Sequence, residues 1–175
     1  MDDYLIPFIT KDNIEKRLKE IAEEINKEYG KKKVILIGIL KGAFMVLADL
    51  IRYLNVDTRI DFIQASSYGS STVSSGKINI IKDVEMDLKD QDVIIVEDIL
   101  DTGITLNFIK EKIEEKKPNS LKFLVLIDKK MRRKIPFEAD YVGFTIEDGF
   151  IVGYGIDVDE KYRHLPDIFI FKEKR

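Results

Sequence analysis

Val93-Ile94-Ile95-Val96-Glu97-Asp98-Ile99-Leu100-Asp101-Thr102-Gly103-Ile104-Thr105-Leu106 is the stretch whose reading decides the fold. Its first four residues are an unbroken apolar, β-branched run, the pattern of a parallel strand covered on both faces. Glu97 and Asp98 stand where that strand is expected to end, which is where open α/β sheets hold their ligands. Asp101, Thr102, Gly103 and Thr105 follow, and Leu106, Ile109 and Ile113 recur at the spacing of one helix face.

Each residue type in this run has a physical use. A helix N-terminus carries unpaired N–H groups and a partial positive charge, so a monophosphate can dock against it. Gly103 allows a tight turn without a Cβ, and the Thr102 and Thr105 hydroxyls can donate to phosphate oxygens. Two acidic side chains beside an anion site must serve another group, and ribose hydroxyls are suitable donors to them. A ribose 5-phosphate therefore suits both halves. An ordinary capped helix would explain Asp101 and Thr102 but not Glu97 and Asp98.

Outward from this run, strand and helix patterns alternate. Ile14, Leu18, Ile21 and Ile25 have helical spacing after a Thr10 or Asp12 cap, with Gly30 as the stop. Val34 to Leu40 is a buried strand. Phe44, Leu47, Ala48 and Ile51 predict a helix, while Ile60 to Ala65, Ile78 to Ile81 and Leu121 to Ile127 predict strands, with Pro118 ending the helix before the last. This is the signature of an α/β fold, a parallel twisted sheet flanked by helices. From Asp140 onward the pattern changes to short strands at Tyr141 to Ile146, Phe150 to Tyr154 and Ile168 to Phe171. One domain is expected, with a core over roughly residues 11–135 and a small lobe over roughly 136–175 joined by residues 1–10.

Composition excludes several classes. At 175 residues the chain can build one substantial core but not two typical domains. A net charge of −3, from 29 basic and 32 acidic residues, offers no overall positive field for nucleic acid. The absence of cysteine removes disulfides and thiolate metal sites and is compatible with a reducing compartment. With no leader-like N-terminus and no apolar run of membrane-spanning length, the expected location is cytoplasmic, with no membrane partner.

Other motifs stay ambiguous on local grounds. Leu40-Lys41-Gly42-Ala43 opens a helix after a strand, which fits either an anion loop or a surface lysine. Ser66 to Lys77 has a linker's composition, yet such a long connection inside one domain is usually a lid or binding loop. It is no Walker loop, because Ser71 stands where the first glycine belongs and Ile78 follows Lys77. Lys129 begins a basic run with Lys130, Arg132, Arg133 and Lys134 that taken alone reads as a solvated face. Phe150 and Ile151 read as core strand. The single histidine, His164, has no nucleophile motif around it.

The central run resembles the phosphoribosyl-pyrophosphate motif of type I phosphoribosyltransferases, and its E-D-I-L-D-T-G-I-T wording is most similar to the hypoxanthine-guanine branch. Leu40-Lys41-Gly42, Ser67-Tyr68-Gly69, Asp128-Lys129 and Phe150 through Arg163 match that branch in order and spacing, so the resemblance covers nearly the whole chain. It implies the fold named above, its small lobe being a hood. It also implies purine salvage, with transfer of a phosphoribosyl group to hypoxanthine and guanine to give IMP and GMP. The phosphoribosyl pyrophosphate would contact Lys41, Gly42, Glu97, Asp98, Asp101, Thr102, Gly103, Ile104, Thr105 and Arg163. Ser67 and Tyr68 would form the lid that keeps water from a ribosyl cation. Lys129, Phe150, Ile151 and Asp157 would meet a 6-oxopurine, with Phe150 stacking on the ring and Lys129 donating to its exocyclic oxygen. Asp101 would be the general base. Magnesium is implied by the hard oxygen ligands of the substrate, with Glu97, Asp98 and Asp157 as the protein side of its sites. A homodimer or homotetramer is implied as well.

One departure is Gly149, where that family commonly has a lysine, which leaves guanine recognition and a xanthine preference open. A regulator that uses this fold to sense nucleotides and bind RNA would retain the phosphate loop. Lys41, the Ser67-Tyr68 pair, Asp101 and Lys129 together favour the enzyme.

Overall fold

In the computed structural model, which describes residues 4–67 and 78–172, the chain runs β1 (Tyr4–Ile9), α1 (Lys11–Tyr29), β2 (Lys33–Leu40), α2 (Phe44–Leu50), β3 (Asp57–Ser67), β4 (Ile78–Lys82), β5 (Asp92–Leu100), α3 (Ile104–Glu114), β6 (Ser120–Lys129), β7 (Tyr141–Ile146), β8 (Ile151–Val152) and β9 (Ile168–Lys172). Thr10 caps α1, its hydroxyl accepting from the Asn13 amide at 3.3 Å, and Gly30 ends it at φ +56°. Ile14, Leu18, Ile21 and Ile25 are buried, as their period predicts.

The main sheet has the order β4-β3-β2-β5-β6-β7. β3, β2, β5, β6 and β7 are parallel, and β4 lies antiparallel beside β3. The parallel sheet expected from the sequence thus carries one antiparallel edge strand. The connection over residues 68–77 is shorter than the dozen or so residues a parallel crossover requires. The apolar strands serve two faces alternately. Val34, Leu36, Ile94 and Val96 join a core with α1 and α2, whereas Ile35, Ile37, Val93 and Ile95 join one with α3. In α2 the buried residues are Val46, Leu47 and Leu50, and Phe44 stays 39% exposed at the helix start, so the expected face is rotated.

Two further differences concern strand ends. β5 continues through Glu97 and Asp98 to Leu100, because β6 runs alongside and pairs Glu97 with Val125 and Ile99 with Ile127. Tyr141 to Ile146, expected in the small lobe, is the last strand of the main sheet, pairing Leu124 with Tyr141 and Lys129 with Ile146. The main sheet therefore extends past the expected boundary at residue 135. A separate three-stranded sheet, β1-β9-β8, joins the two ends of the chain. It is tied to α1 by the Lys11 amide, which donates to Asp167 Oδ1 at 2.6 Å, and to α2 by the Tyr154 hydroxyl, which donates to Asp49 Oδ2 at 2.5 Å.

An edge strand exposes backbone groups to stray pairing. On β7, Arg17 of α1 answers this, donating from Nη2 to Val142 O at 2.9 Å and from Nε to Val142 O and Gly143 O at 3.2 and 3.3 Å. Arg17→Ala is expected to lower unfolding free energy by ~1.5–3 kcal/mol, the range for hydrogen bonds from a charged donor. Urea unfolding at constant m-value checks this, and a change within error would show the contact to be idle.

Candidate active site

Strand order places the site before any side chain does. Outward from β2 the sheet continues to β3 and β4; outward from β5 it continues to β6 and β7. The switch point therefore lies between β2 and β5, and the crevice beyond their carboxyl ends is where an α/β sheet receives ligands. Lys41 and Gly42 leave the end of β2, after a cis Leu40–Lys41 peptide. Glu97, Asp98 and Asp101 lie at the end of β5.

Glu97 and Asp98 are 8% and 7% exposed and lie under the β2 loop. A Cβ on Gly42 would sit 1.7 Å from Asp98 Oδ2, so only glycine allows the loop to rest on that carboxylate. Behind it, a Cβ on Gly155 (φ +95°) would meet Gly42 O at 2.1 Å. Three segments distant in sequence thus converge on one point. Burial, then the neighbouring Asp98 charge, pushes the Glu97 carboxyl well above its ordinary range. Asp98 is raised by burial, with Arg163 acting in the opposite direction. Such a pair is a receptor for donors or for a cation.

Beyond the pair, Gly103 adopts a left-handed φ of +82° and begins α3 with no side-chain cap. Residues Glu97, Asp98, Asp101, Thr102, Gly103 and Thr105 line a cavity of ≈ 250 Å³ there. Ile104 forms the helix's first turn, its amide 3.4 Å from Thr102 Oγ1. The turn is held from behind: Thr102 O accepts from the Lys134 and Ile135 amides at 2.9 and 3.1 Å. Arg133 completes this buttress, donating to Asp101 O and Lys129 O, both at 3.0 Å, and to Asp128 Oδ1 and Phe137 O. The backbones of Asp101 and Lys129 are consequently fixed to one guanidinium. Asp101 Oδ2 lies 3.3 Å from Arg132, while its Oδ1 is buried without a partner among the described residues.

On the far side, Phe150 is 51% exposed, and its ring lies 5.5 Å from that of Phe171. A cavity of ≈ 250 Å³ at Phe150 is lined also by Arg132, Asp148 and Gly149. Ile151 is buried and paired with Ile170. Lys129 is 4% exposed; burial lowers its pKa, and the charges of Asp101 and Asp148 act in the opposite direction. Gly149 has φ +135°, which disfavours the lysine common at that position in the resembled family.

Lys41, Arg163 and Asp157 gather around Glu160. Lys41 pairs with Glu160 at 3.0 Å, and Arg163 pairs with Asp157 at 2.9 Å and with Glu160 at 3.4 Å. Arg163 also donates to Gly155 O at 2.7 Å, and its Nε is buried without a partner among the described residues. Lys41 holds the Glu160 carboxyl below its ordinary range. Among the described residues no three acidic or histidine side chains form a metal cluster. Of the expected lid, Ser67 ends β3, and Tyr68 lies outside the described residues.

Sequence reasoning missed Arg133, Arg132 and Glu160. Arg133 lay inside a run that reads as solvated, yet its side chain is only 15% exposed. The five-residue spacing to Asp128 was the available signal, and it has no helical or strand period to reveal it.

Residues 9–159 match the family model of the phosphoribosyl transferase domain. The chain is 44% identical to the hypoxanthine-guanine phosphoribosyltransferase of Aquifex aeolicus, over 94% of this chain and 93% of that one. It is 43% identical to the protein of that name from Bacillus subtilis, over 94% and 91%. A crystal structure of a hypoxanthine-guanine phosphoribosyltransferase from Bacillus anthracis shares the fold at a TM-score of 0.91 and 42% identity, covering 98% of this chain and 100% of that one. The chain belongs to the phosphoribosyltransferase family, within its hypoxanthine-guanine branch.

Proposed function

We propose that the protein transfers the phosphoribosyl group of phosphoribosyl pyrophosphate to hypoxanthine and guanine, giving IMP and GMP and releasing pyrophosphate, in purine salvage in the cytoplasm. The observation that carries this reading is the convergence of Gly42, Asp98 and Gly155. It sets a basic loop, a buried acidic pair and the small lobe around one crevice.

In this reading the 5-phosphate sits at the uncapped start of α3, held by Thr102, Thr105 and the amides beyond Gly103. Glu97 and Asp98 accept from the ribose hydroxyls, and Lys41 and Arg163 meet the pyrophosphate. Phe150 stacks on the purine, Ile151 offers backbone to its edge, and Lys129 donates to the 6-oxygen. A purine ring nitrogen forms a bond to C1 of the ribose as the bond from C1 to pyrophosphate breaks, and Asp101 takes the proton from N7. A carboxylate is a weak base, so its use here depends on position, which Arg133 sets. The raised Glu97 and Asp98 carboxyls fit a hydrated magnesium ion bound with the substrate; Asp157, engaged by Arg163, fits a second ion less well. Magnesium would neutralise charge on the departing pyrophosphate. A homodimer or homotetramer is the assembly proposed.

Pyrophosphate release with each purine, with and without magnesium, tests the reading: turnover with hypoxanthine and guanine but not adenine is expected. Release with none of them, or with adenine alone, would end it. Asp101→Asn is expected to keep phosphoribosyl pyrophosphate affinity while turnover falls by ~10²–10⁴, the usual share of a general base. Equal turnover would remove Asp101 from the mechanism. Lys129→Ala is expected to narrow the preference for 6-oxo over 6-amino purines by about one to two orders of magnitude, because a buried unpaired donor costs ~1–3 kcal/mol. Competition kinetics with hypoxanthine and adenine decide this, and an unaltered ratio would contradict the role.

A further inference from the structure

Glu160 has no place in the reaction just described, yet its carboxylate lies among the groups meant for pyrophosphate. Oε1 is 3.0 Å from Lys41 Nζ, and Oε2 is 3.4 Å from Arg163 Nη2. Each oxygen thus meets a different cation, as separate phosphoryl groups of a diphosphate would.

An exposed carboxylate beside a lysine is commonplace and worth little. Two observations distinguish this one. Asp159 and Glu160 both adopt left-handed backbone, at φ +50° and +61°, a conformation that residues with a Cβ keep only where their surroundings impose it. The imposing contact is Asp157, whose Oδ2 accepts from the Glu160 amide at 2.8 Å while its Oδ1 pairs with Arg163 at 2.9 Å. The loop is therefore built to bring this carboxylate to these cations. Arg163, moreover, does not need Glu160 to stay in place, since Nη1 donates to Gly155 O at 2.7 Å. A cavity of ≈ 450 Å³ lined by Phe44 and residues 160–164 adjoins the carboxylate, leaving it room to move aside.

We propose that Glu160 is the internal counter-anion of the pyrophosphate subsite: its carboxylate holds Lys41 and Arg163 when no substrate is bound and is exchanged for phosphoryl oxygens on binding. This rests on the proposed reaction. Without Glu160, Lys41 would meet the released diphosphate uncompensated and Arg163 would keep only its pair with Asp157, so the diphosphate would be held strongly. A tethered carboxylate that re-forms its pairs as pyrophosphate departs weakens that grip, and so sets affinity and release without touching the reacting atoms.

Glu160→Gln keeps size and hydrogen bonding while removing the charge. The full-length protein and the variant are titrated with inorganic pyrophosphate in magnesium by calorimetry, and product inhibition is measured against phosphoribosyl pyrophosphate. Pyrophosphate is expected to bind about five-fold tighter to the variant at low salt, with the gap closing as ionic strength rises. The KM for hypoxanthine and the melting temperature are expected to stay unchanged. Lys41→Ala combined with Glu160→Gln is expected to lose most of the five-fold gain. Equal or weaker pyrophosphate binding in Glu160→Gln, or a gain that persists without Lys41 at high salt, overturns the proposal. A parent protein that does not bind pyrophosphate at all contradicts the proposed reaction itself, so the two failures are told apart.

Discussion

Burying two adjacent carboxylates, Glu97 and Asp98, is the constraint around which the molecule is arranged. In an apolar interior a carboxyl resists ionisation, and a second one beside it resists further. Such a pair persists only if the structure supplies compensating groups or leaves space for a ligand that does. Both occur here. Arg163 bears on Asp98 from the small lobe, and a cavity opens beside the pair toward α3. Gly42 and Gly155 follow from the same constraint, because the loop over the carboxylates has no room for a side chain on either side.

The elements around this pair divide the work. The end proposed for the 5-phosphate is tied by hydrogen bonds: α3 starts from it, the Lys134 and Ile135 amides donate to Thr102 O, and Arg133 joins the backbones of Asp101 and Lys129. The roles proposed for Asp101 and Lys129 would depend on such positioning. The end proposed for the pyrophosphate joins the exposed Lys41 and Glu160 to the mostly buried Arg163 through surface ion pairs of low individual worth. On the proposed reading, binding would be anchored at one end and release governed at the other.

Much of this was legible in the sequence. Unbroken apolar runs such as Val93 to Val96 report double-sided burial, and the Thr10 cap and Gly30 stop frame α1 by local chemistry alone. The acidic pair and the glycine turn were readable as a site because no ordinary helix start needs them. What escaped was set by tertiary contact. Whether Tyr141 to Ile146 joins the main sheet depends on β6 offering an edge, which no local pattern records. Arg133 lies in a run whose composition matches a solvated surface, and only the fold turns one member inward. Glu160 was invisible because its partner Lys41 is far away in the chain.

On the proposed reading the buried pair receives a phosphorylated pentose. A crystal structure of the protein with phosphoribosyl pyrophosphate and magnesium tests it most directly. The account predicts ribose hydroxyls against Glu97 and Asp98, with the 5-phosphate at the start of α3. A sugar bound elsewhere, or an acidic pair left facing only protein, would contradict it.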